Sequence, residues 1–568
     1  MRESNPKVGS APSGVPHDWM HIDWHHVHRT VRGMQIRIAK ATQEGDWRRV
    51  KALQRMLTRS FTAKMLAVRR VTENQGKRTA GVDRVLWTEP EQRWEALSGL
   101  RRRGYKPSPL RRVFIPKSNG KERPLGIPTM RDRAMQALHL LALAPVAETT
   151  GDLNSFGFRQ GRSTHDAMAQ SFICLAKKYS PGWVLEADIK GCFDHIDHDW
   201  LVTHVPMDKG ILRKWLKAGI LYRGRYEPTE AGTPQGGIIS PTLANLALDG
   251  LERGLREHVL ATLGYTKAQQ AKINVVRYAD DFVVTGASQE VLADLVRPWV
   301  ERFLATRGLE LSTEKTRITH IDAGFDFLGW NFRKYKGKLL IKPSKKNVSA
   351  FYRKVEGVIS SQKTVRQDGL IKMLNPVLRG WANYHHPVVA KAEFSRLDAL
   401  IFGAIWRWCR RRHNNKGSQW VKERYFHPVG NRRWVFAAHR IDKDGKKGGL
   451  RTLYRLADTP IVRHVKVKAE YNPYDPAFEQ YGEKRRQDRL MRSLAHRTQW
   501  IRLYHSQGGR CVHCGLPITR QTGWHDHHIV QRTAGGSNAL WNRVLLHPFC
   551  HMQVHALGLT VVKPVSGA

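Results

Sequence analysis

Asp280 and Asp281 stand side by side in Val275-Val276-Arg277-Tyr278-Ala279-Asp280-Asp281-Phe282-Val283-Val284, two acids at the tip of an otherwise apolar, β-branched hairpin. Adjacent carboxylates repel, and strand-forming neighbours withhold the water that would screen them; a divalent cation relieves both problems. Two such ions held by carboxylates catalyse in-line phosphoryl transfer, the chemistry of nucleic-acid polymerases. A plain turn also accounts for the pair, because Asp favours turns. A third acid shifts the balance. Trp183-Val184-Leu185-Glu186-Ala187-Asp188 reads as a buried strand ending on Asp188, ahead of a polar turn that runs to Asp194. Asp188 can bridge two ions only if its strand end lies beside the hairpin tip, so the chemistry places a demand on the fold.

A second constellation lies near the C-terminal end. Cys511-Val512-His513-Cys514 and His547-Pro548-Phe549-Cys550 are two pairs with the same internal spacing. Each pair can bite one tetrahedral Zn²⁺ from a turn, which gives Cys511, Cys514, His547 and Cys550 as a closed structural site, with His513 the alternative to His547. Between the pairs come Asp526-His527-His528-Ile529, Gly535-Gly536 and Asn542, and after them His551 and His555. The last two are one helical turn apart and share a face that can hold a metal. A zinc ribbon that only binds DNA is the simpler reading, but a ribbon needs no second histidine cluster.

Positioning these groups takes several units. From about His17 to Thr72, apolar and basic positions alternate with helical spacing, as in Val50, Leu53, Met56, Leu57 and Phe61. From about Leu110 to His320 short β-rich runs, Gly/Pro turns and helices mix, an α+β pattern. The apolar run Leu138 to Leu143 stops at Pro145 and is too short to span a bilayer. Lys345 to Arg412 turns helical again, Asp442 to Gly449 reads as a charged turn, and Glu483 to Arg497 as a charged connecting helix. Thr233-Pro234-Gln235-Gly236-Gly237 opens a helix through Leu243, Leu246 and Leu248. The turn around Lys117, Lys121 and Arg123 carries charge suited to a triphosphate, although solvated turn charges look the same.

Over 568 residues, 95 Lys plus Arg face 49 Asp plus Glu, a net charge of +46. That excess is the electrostatic footprint of a protein covering a long phosphate backbone. In Trp406-Arg407-Trp408-Cys409-Arg410-Arg411-Arg412-His413 cations and aromatics interleave, which suits backbone contact plus base stacking; burial of each Trp in a helical core is the competing explanation. Met1 to Pro16 is polar and rich in Pro and Gly, unlike a secretory signal. Cys174, Cys192 and Cys409 are isolated, so the cysteines favour a metal site over a disulfide framework.

The ordered series Lys117 to Pro128, Phe156-Gly157-Phe158-Arg159-Gln160-Gly161-Arg162-Ser163, Asp188 to Asp194, Pro234-Gln235-Gly236-Gly237, Tyr278-Ala279-Asp280-Asp281, Leu309 to Thr316 and Phe327-Leu328-Gly329-Trp330 resembles the successive blocks of group II intron-encoded reverse transcriptases. The resemblance continues through Leu374 to Tyr384, similar to that family's thumb or maturase region, and Tyr471 to Pro476, similar to a segment before its nuclease domain. The C-terminal set resembles an HNH endonuclease, a ββα-metal motif. The resemblance implies a multidomain α+β chain. Residues 1–95 form a basic helical N-terminal extension, 96–345 the fingers and palm of a right-hand polymerase, and 346–435 a helical thumb or maturase domain. A DNA-binding connector follows over 436–495, then a small HNH domain with a zinc site over 496–568.

By the same resemblance, Asp188, Asp280 and Asp281 hold catalytic Mg²⁺, and Phe193 is the aromatic gate that selects deoxynucleotides. Arg123 and Lys117 lie near the triphosphate, Gln235 packs by the nucleotide pocket, and Lys315 belongs to the following motif. His528 is the general base of the nuclease. His527, His551 and His555 hold its divalent ion, with Mg²⁺ expected, Asn542 orients the loop or the base, and Asp526 is a rival for ligand or orienting group. Implied partners are the chain's own intron RNA, target DNA and dNTPs, with no membrane and with a homodimer allowed. The expected setting is cytoplasmic, bacterial-type intracellular or nucleoid-associated. The expected function is RNA-directed DNA synthesis, splicing assistance and target-DNA nicking on one chain. The alternatives are a splicing-only maturase with relic sites, a reverse transcriptase of another retroelement class, and an HNH nuclease on a structural platform.

Overall fold

In the computed structural model, residues 18–116, 122–441, 447–494, 498–520, 522–531 and 534–564 are described. The basic amphipathic stretch forms three helices, Trp24–Gln43, Trp47–Arg59 and Phe61–Glu73. Asp23 and Asp46 cap the first two, their carboxylates accepting from His26 N and Arg49 N. Val50, Leu53 and Leu57 share the buried face of the second. These helices pack against the helix Met130–Thr150.

That long helix runs on through Pro145. An interior proline costs roughly 3 kcal/mol, whereas each fully buried Leu or Val contributes about 1.5–3 kcal/mol. Leu138, Leu143 and Val146 are all fully buried around it, so packing wins. Thr149 Oγ1 donates to the Pro145 carbonyl oxygen at 2.8 Å. Among the described residues no helix is long and apolar enough to cross a membrane.

A four-stranded antiparallel sheet sits at the centre, in the order Asn274–Tyr278, Asp281–Gly286, Trp183–Asp188, Arg317–His320. It partitions two cores. Leu185, Ala187, Val275, Phe282 and Val284 face the N-terminal helices and Met130–Thr150. Val184, Val276 and Val283 face the opposite core, built with the helices Lys345–Ser361, Gln367–His385 and Lys391–Arg412. Successive strand residues point to opposite faces, so a sheet covered on both sides needs continuous apolar runs, as the sequence shows.

A second sheet, Glu122–Ile127, Leu110–Pro116, Ile220–Tyr222 and Arg225–Glu227, flanks the central one, and a three-stranded sheet of Phe325–Phe327, Trp330–Tyr335 and Lys338–Pro343 leads to the C-terminal helices. The hairpin strands Phe426–Val429, Arg432–Ile441 and Lys447–Thr452 follow; part of the expected charged turn, residues 442–446, lies outside the described residues. The connecting helix runs Glu479–Leu494, its continuation towards Arg497 again outside them. Buried Asp166, in the helix Thr164–Leu175, ties in the chain around the connecting helix: it accepts from His464 Nε2 at 2.9 Å, Val467 N at 2.8 Å and Arg485 Nη2 at 3.1 Å. The chain ends in two strands, His525–His528 and Arg543–Leu546, and a helix, Pro548–Ala556. That last helix docks on the other end of the chain, where Trp19 and Trp24 meet Phe549 edge-on at 6.2 and 5.4 Å and Gln553 Nε2 donates to the Met20 carbonyl at 2.6 Å.

Candidate active sites

The register of the central sheet meets the demand set by the carboxylates: Asp188 is paired directly opposite Asp281, and Asp280 sits in the hairpin turn beside them. Ala279, at φ 59°, bends the turn in a conformation few side chains adopt, at a cost of about 1–3 kcal/mol. Its support is a buried guanidinium. Arg277 reaches under the tip, donating to Ala279 O at 3.4 Å, Asn245 Oδ1 at 3.3 Å and the Asp249 carboxylate. Phe156 N and Arg277 O, and Arg277 N and Asn154 O, add main-chain bonds of 2.9 and 3.0 Å. This draws the Phe156-Gly157-Phe158 loop so close that a Cβ on Gly157 would lie 2.3 Å from Ala279 N, so only glycine fits.

Charge at the tip is in excess. The surrounding protein, a hydrogen bond with Asp188 and the Asp280 charge push Asp281 up to about 7 although its edge reaches solvent. Asp280 is raised too, by desolvation first and by Asp188. Lys315 Nζ donates to Asp188 Oδ2 at 2.7 Å, and Arg123, exposed on its strand, offsets part of the Asp280 charge. Carboxylates crowded beyond what these cations neutralise are chemically suited to a divalent cation, which would supply the missing positive charge. Phe193 lies nearby in the short helix Cys192–His195, edge-on to Phe158 at 6.0 Å, and Thr233 N donates to its carbonyl at 2.6 Å. Gln235 Nε2 donates to Asp194 Oδ2 at 3.2 Å, which holds the Pro234-Gln235-Gly236-Gly237 turn over the same mouth. Lys117 lies outside the described residues.

In the C-terminal unit, Cys511, Cys514, His547 and Cys550 are all buried and bring one ligand atom each within 4.8 Å of one another. His547 Nε2 donates to the Pro517 carbonyl at 3.2 Å, which turns Nδ1 towards Cys514 Sγ at 3.3 Å. Burial opposes charge on His547, but hydrogen bonds to Cys511 and Cys514 outweigh it and push the imidazole up to about 9. Hydrogen bonds from Cys514 and Cys550 lower the Cys511 thiol. Three sulfurs and a fixed imidazole nitrogen are a donor set for tetrahedral zinc. The alternative His513 is not part of the group.

His527, His551 and His555 form a second group of the same tightness, with His551 and His555 Nε2 atoms 3.2 Å apart. Burial and neighbouring histidines pull His551 down to about 4, so at neutral pH the ring is uncharged and free to bind metal. His528, on the adjacent strand position, donates from Nε2 to Asn538 Oδ1 at 3.0 Å. Asn542 holds the loop: its side chain accepts from Val530 N at 2.8 Å and donates to Val530 O at 3.0 Å and Ser537 O at 2.8 Å. Asp526 is engaged elsewhere, by Arg543 and by Trp500 Nε1 at 3.0 Å.

Comparison with known proteins matches this layout. The model for "Reverse transcriptase (RNA-dependent DNA polymerase)" covers residues 115–332, and that for the N-terminal domain of reverse transcriptase covers 19–100. "Group II intron, maturase-specific domain" covers 348–426 and "HNH endonuclease" 511–557. Protein YkfC of Escherichia coli (strain K12) is 33% identical over 338 residues, 52% of this chain and 86% of that protein. The chain belongs to the group II intron-encoded reverse transcriptases with an HNH endonuclease domain. The group II intron-encoded protein LtrA of Lactococcus lactis subsp. cremoris is 29% identical over 392 residues, and the match spans 58% of this chain and 65% of LtrA. Maturase-like protein 1 of Euglena gracilis is 26% identical over 399 residues, 67% of this chain and 79% of that protein.

In this reverse transcriptase, the residues missed by sequence reasoning are supports. Arg277 was visible only as a charge within an apolar run, and nothing marked Asn245, Asp249 or Asn538. Removing one partner of a buried ion pair costs roughly 3–5 kcal/mol, because the other charge is left without compensation. Arg277→Ala is therefore expected to lower the thermal unfolding midpoint by several degrees and to abolish primer extension, with Arg277→Lys recovering little of either; a melting curve near wild type would contradict this support role. The Cys511, Cys514, His547 and Cys550 group of this intron-encoded enzyme carries a separate expectation. Metal analysis should find about one zinc per chain, and a strong chelator should open residues 498–564 to protease while the polymerase-matched region stays protected, since structural zinc contributes folding energy directly.

Proposed function

We propose that this chain copies its own intron RNA into DNA from a 3′-hydroxyl that its nuclease domain exposes by nicking target DNA, and that it grips the intron RNA to help it splice. The placement of Asp188 opposite Asp281, with Asp280 in the turn and Lys315 bonded to Asp188, carries the polymerase part. Residues 96–345 then act as fingers and palm, 346–435 as thumb, 436–495 as a connector that contacts DNA, and 496–568 as the nuclease, with 1–95 as a basic extension. The net charge of +46 supports the nucleic-acid partners.

At the polymerase mouth, divalent ions on the three aspartates would activate the primer 3′-oxygen and stabilise charge on the departing pyrophosphate. The chain's own groups do the rest. Lys315 and Arg123 lend positive charge where the triphosphate gathers negative charge, and Lys117 is assigned there as well. Phe193 presents an apolar ring where a ribose 2′-hydroxyl would need room and a hydrogen-bond partner. Gln235, held by Asp194, closes the pocket above the base. In the nuclease, His527, His551 and His555 would hold the divalent ion, and His528 would accept a proton from the attacking water while Asn542 keeps the loop in place.

Primer extension by purified protein on an RNA template with dNTPs and Mg²⁺ tests the core of the reading, alongside splicing of the intron transcript. RNA-templated cDNA together with splicing supports it. Splicing without any cDNA would leave a maturase with a silent polymerase site.

A further inference from the structure

Four aromatic rings gather on the surface of the C-terminal helical region, remote in sequence from both candidate active sites. Phe402 and Trp406 lie one turn apart on the helix Lys391–Arg412, with ring centroids 6.4 Å apart and planes within 15°. Phe426 and Trp434, from paired strands, complete the set, and the remaining centroid separations all fall between 5.5 and 6.3 Å. Phe426 is buried and floors the cluster, but Trp434 is 47% and Phe402 40% exposed, so large aromatic faces stand in water. A cluster needed only for folding would bury those faces, as Phe436 and Trp408 are buried beside it.

The rim carries cations. Lys422 Nζ sits 4.9 Å from the centroid of the Trp434 ring. Arg410, one turn beyond Trp406 on the same helix face, donates to the Ser418 hydroxyl at 3.0 Å. Among the described residues neither Lys422 nor Arg410 has an acidic partner within ion-pair distance. Flat apolar faces bordered by unpaired cations match one partner chemistry: unpaired bases, which stack on aromatic rings, joined by phosphates, which the cations neutralise. The helical half of the cluster falls within residues 348–426, the maturase-specific match, whereas Trp434 lies beyond it on the following hairpin.

We infer that Phe402, Trp406 and Trp434, rimmed by Lys422 and Arg410, form a stacking platform for an unpaired stretch of the intron RNA. This rests on the reading of the chain as an RNA-binding maturase and names where that grip includes single-stranded bases. Exposed rings can be removed without opening a core, so the variants remain foldable.

The test is filter binding of the intron transcript by wild type, Trp434→Ala, Phe402→Ala, Trp434→Phe and Lys422→Gln over a salt series, with a single-stranded DNA of matched length as second probe. Primer extension on a homopolymer RNA template monitors folding of each variant. The expected result is a loss of RNA affinity of about tenfold or more for Trp434→Ala and Phe402→Ala, near-complete recovery in Trp434→Phe, and primer extension unchanged. Lys422→Gln should flatten the salt dependence by about one unit of slope, as loss of a phosphate contact does. Wild-type affinity in both alanine variants overturns the platform while leaving RNA binding intact. A wild-type protein that does not bind the transcript overturns RNA binding itself, and the platform with it. A loss confined to the DNA probe overturns the assignment to RNA.

Discussion

Asp280→Ala/Asp281→Ala should make no cDNA above about a thousandth of the wild-type rate, while the purified protein still binds and splices its intron RNA. Loss of one preorganised electrostatic contact to a transition state already costs about 10²–10³ in rate. Here both carboxylates of the turn go, and with them the ligands proposed to hold the divalent ions opposite Asp188. The fold should survive, because neither side chain is part of a core and their removal relieves both the burial of charge and the crowding with Asp188 that raise Asp281. Primer extension and a thermal melt on the same preparation separate the outcomes. Residual synthesis within tenfold of wild type would show that these acids are turn residues and nothing more.

A milder substitution at the same place sharpens the point. Lys315→Ala leaves the carboxylates in place and removes the amine bonded to Asp188 Oδ2 at 2.7 Å. If Lys315 serves only to neutralise the aspartates, binding of divalent ion should tighten in the variant; if it also meets the triphosphate, the dNTP requirement should rise as well.

How much of this was legible beforehand differs from one element to the next. The strand ending at Asp188 and the hairpin carrying Asp280 and Asp281 could be read from β-branched runs and a turn, because period and composition are local properties. That the two strand ends meet in register is not local, and only the sheet shows Asp188 opposite Asp281. The paired cysteine and histidine spacings were readable for the same local reason, whereas it is the fold that brings His547 rather than His513 to the three cysteines, its ring held by the Pro517 carbonyl. Arg277 was invisible as a support, since a lone arginine in a strand looks like an edge charge until its partners from positions 245 and 249 are in place. The helix through Pro145 shows the same limit, because the penalty of a proline is local whereas the burial that overcomes it is tertiary. The docking of Trp19 and Trp24 on Phe549 spans nearly the whole chain, and no local pattern could announce it.

His528→Ala should lose target-DNA nicking by about 10²–10⁴-fold, the usual contribution of a general base, with primer extension on a supplied primer unchanged. The argument starts from the proton. His528 Nε2 donates to Asn538 Oδ1, and in the neutral ring that bond favours the tautomer whose Nδ1 lone pair can accept from water. Asn538→Ala frees the ring to adopt either tautomer and should give a smaller loss with the metal still bound. His551→Ala differs again, because it removes one of three imidazoles that converge within 4.8 Å, so its nicking defect should be partly recovered by raising the divalent-ion concentration. His528→Ala should not respond to metal. A nicked-plasmid assay across a metal series, run with primer extension on the same samples, reads all three. Were His528→Ala to nick normally while His551→Ala failed, the proton would have to leave the water by another group, and His525, whose ring centroid lies 5.1 Å from that of His551, would be the next to substitute.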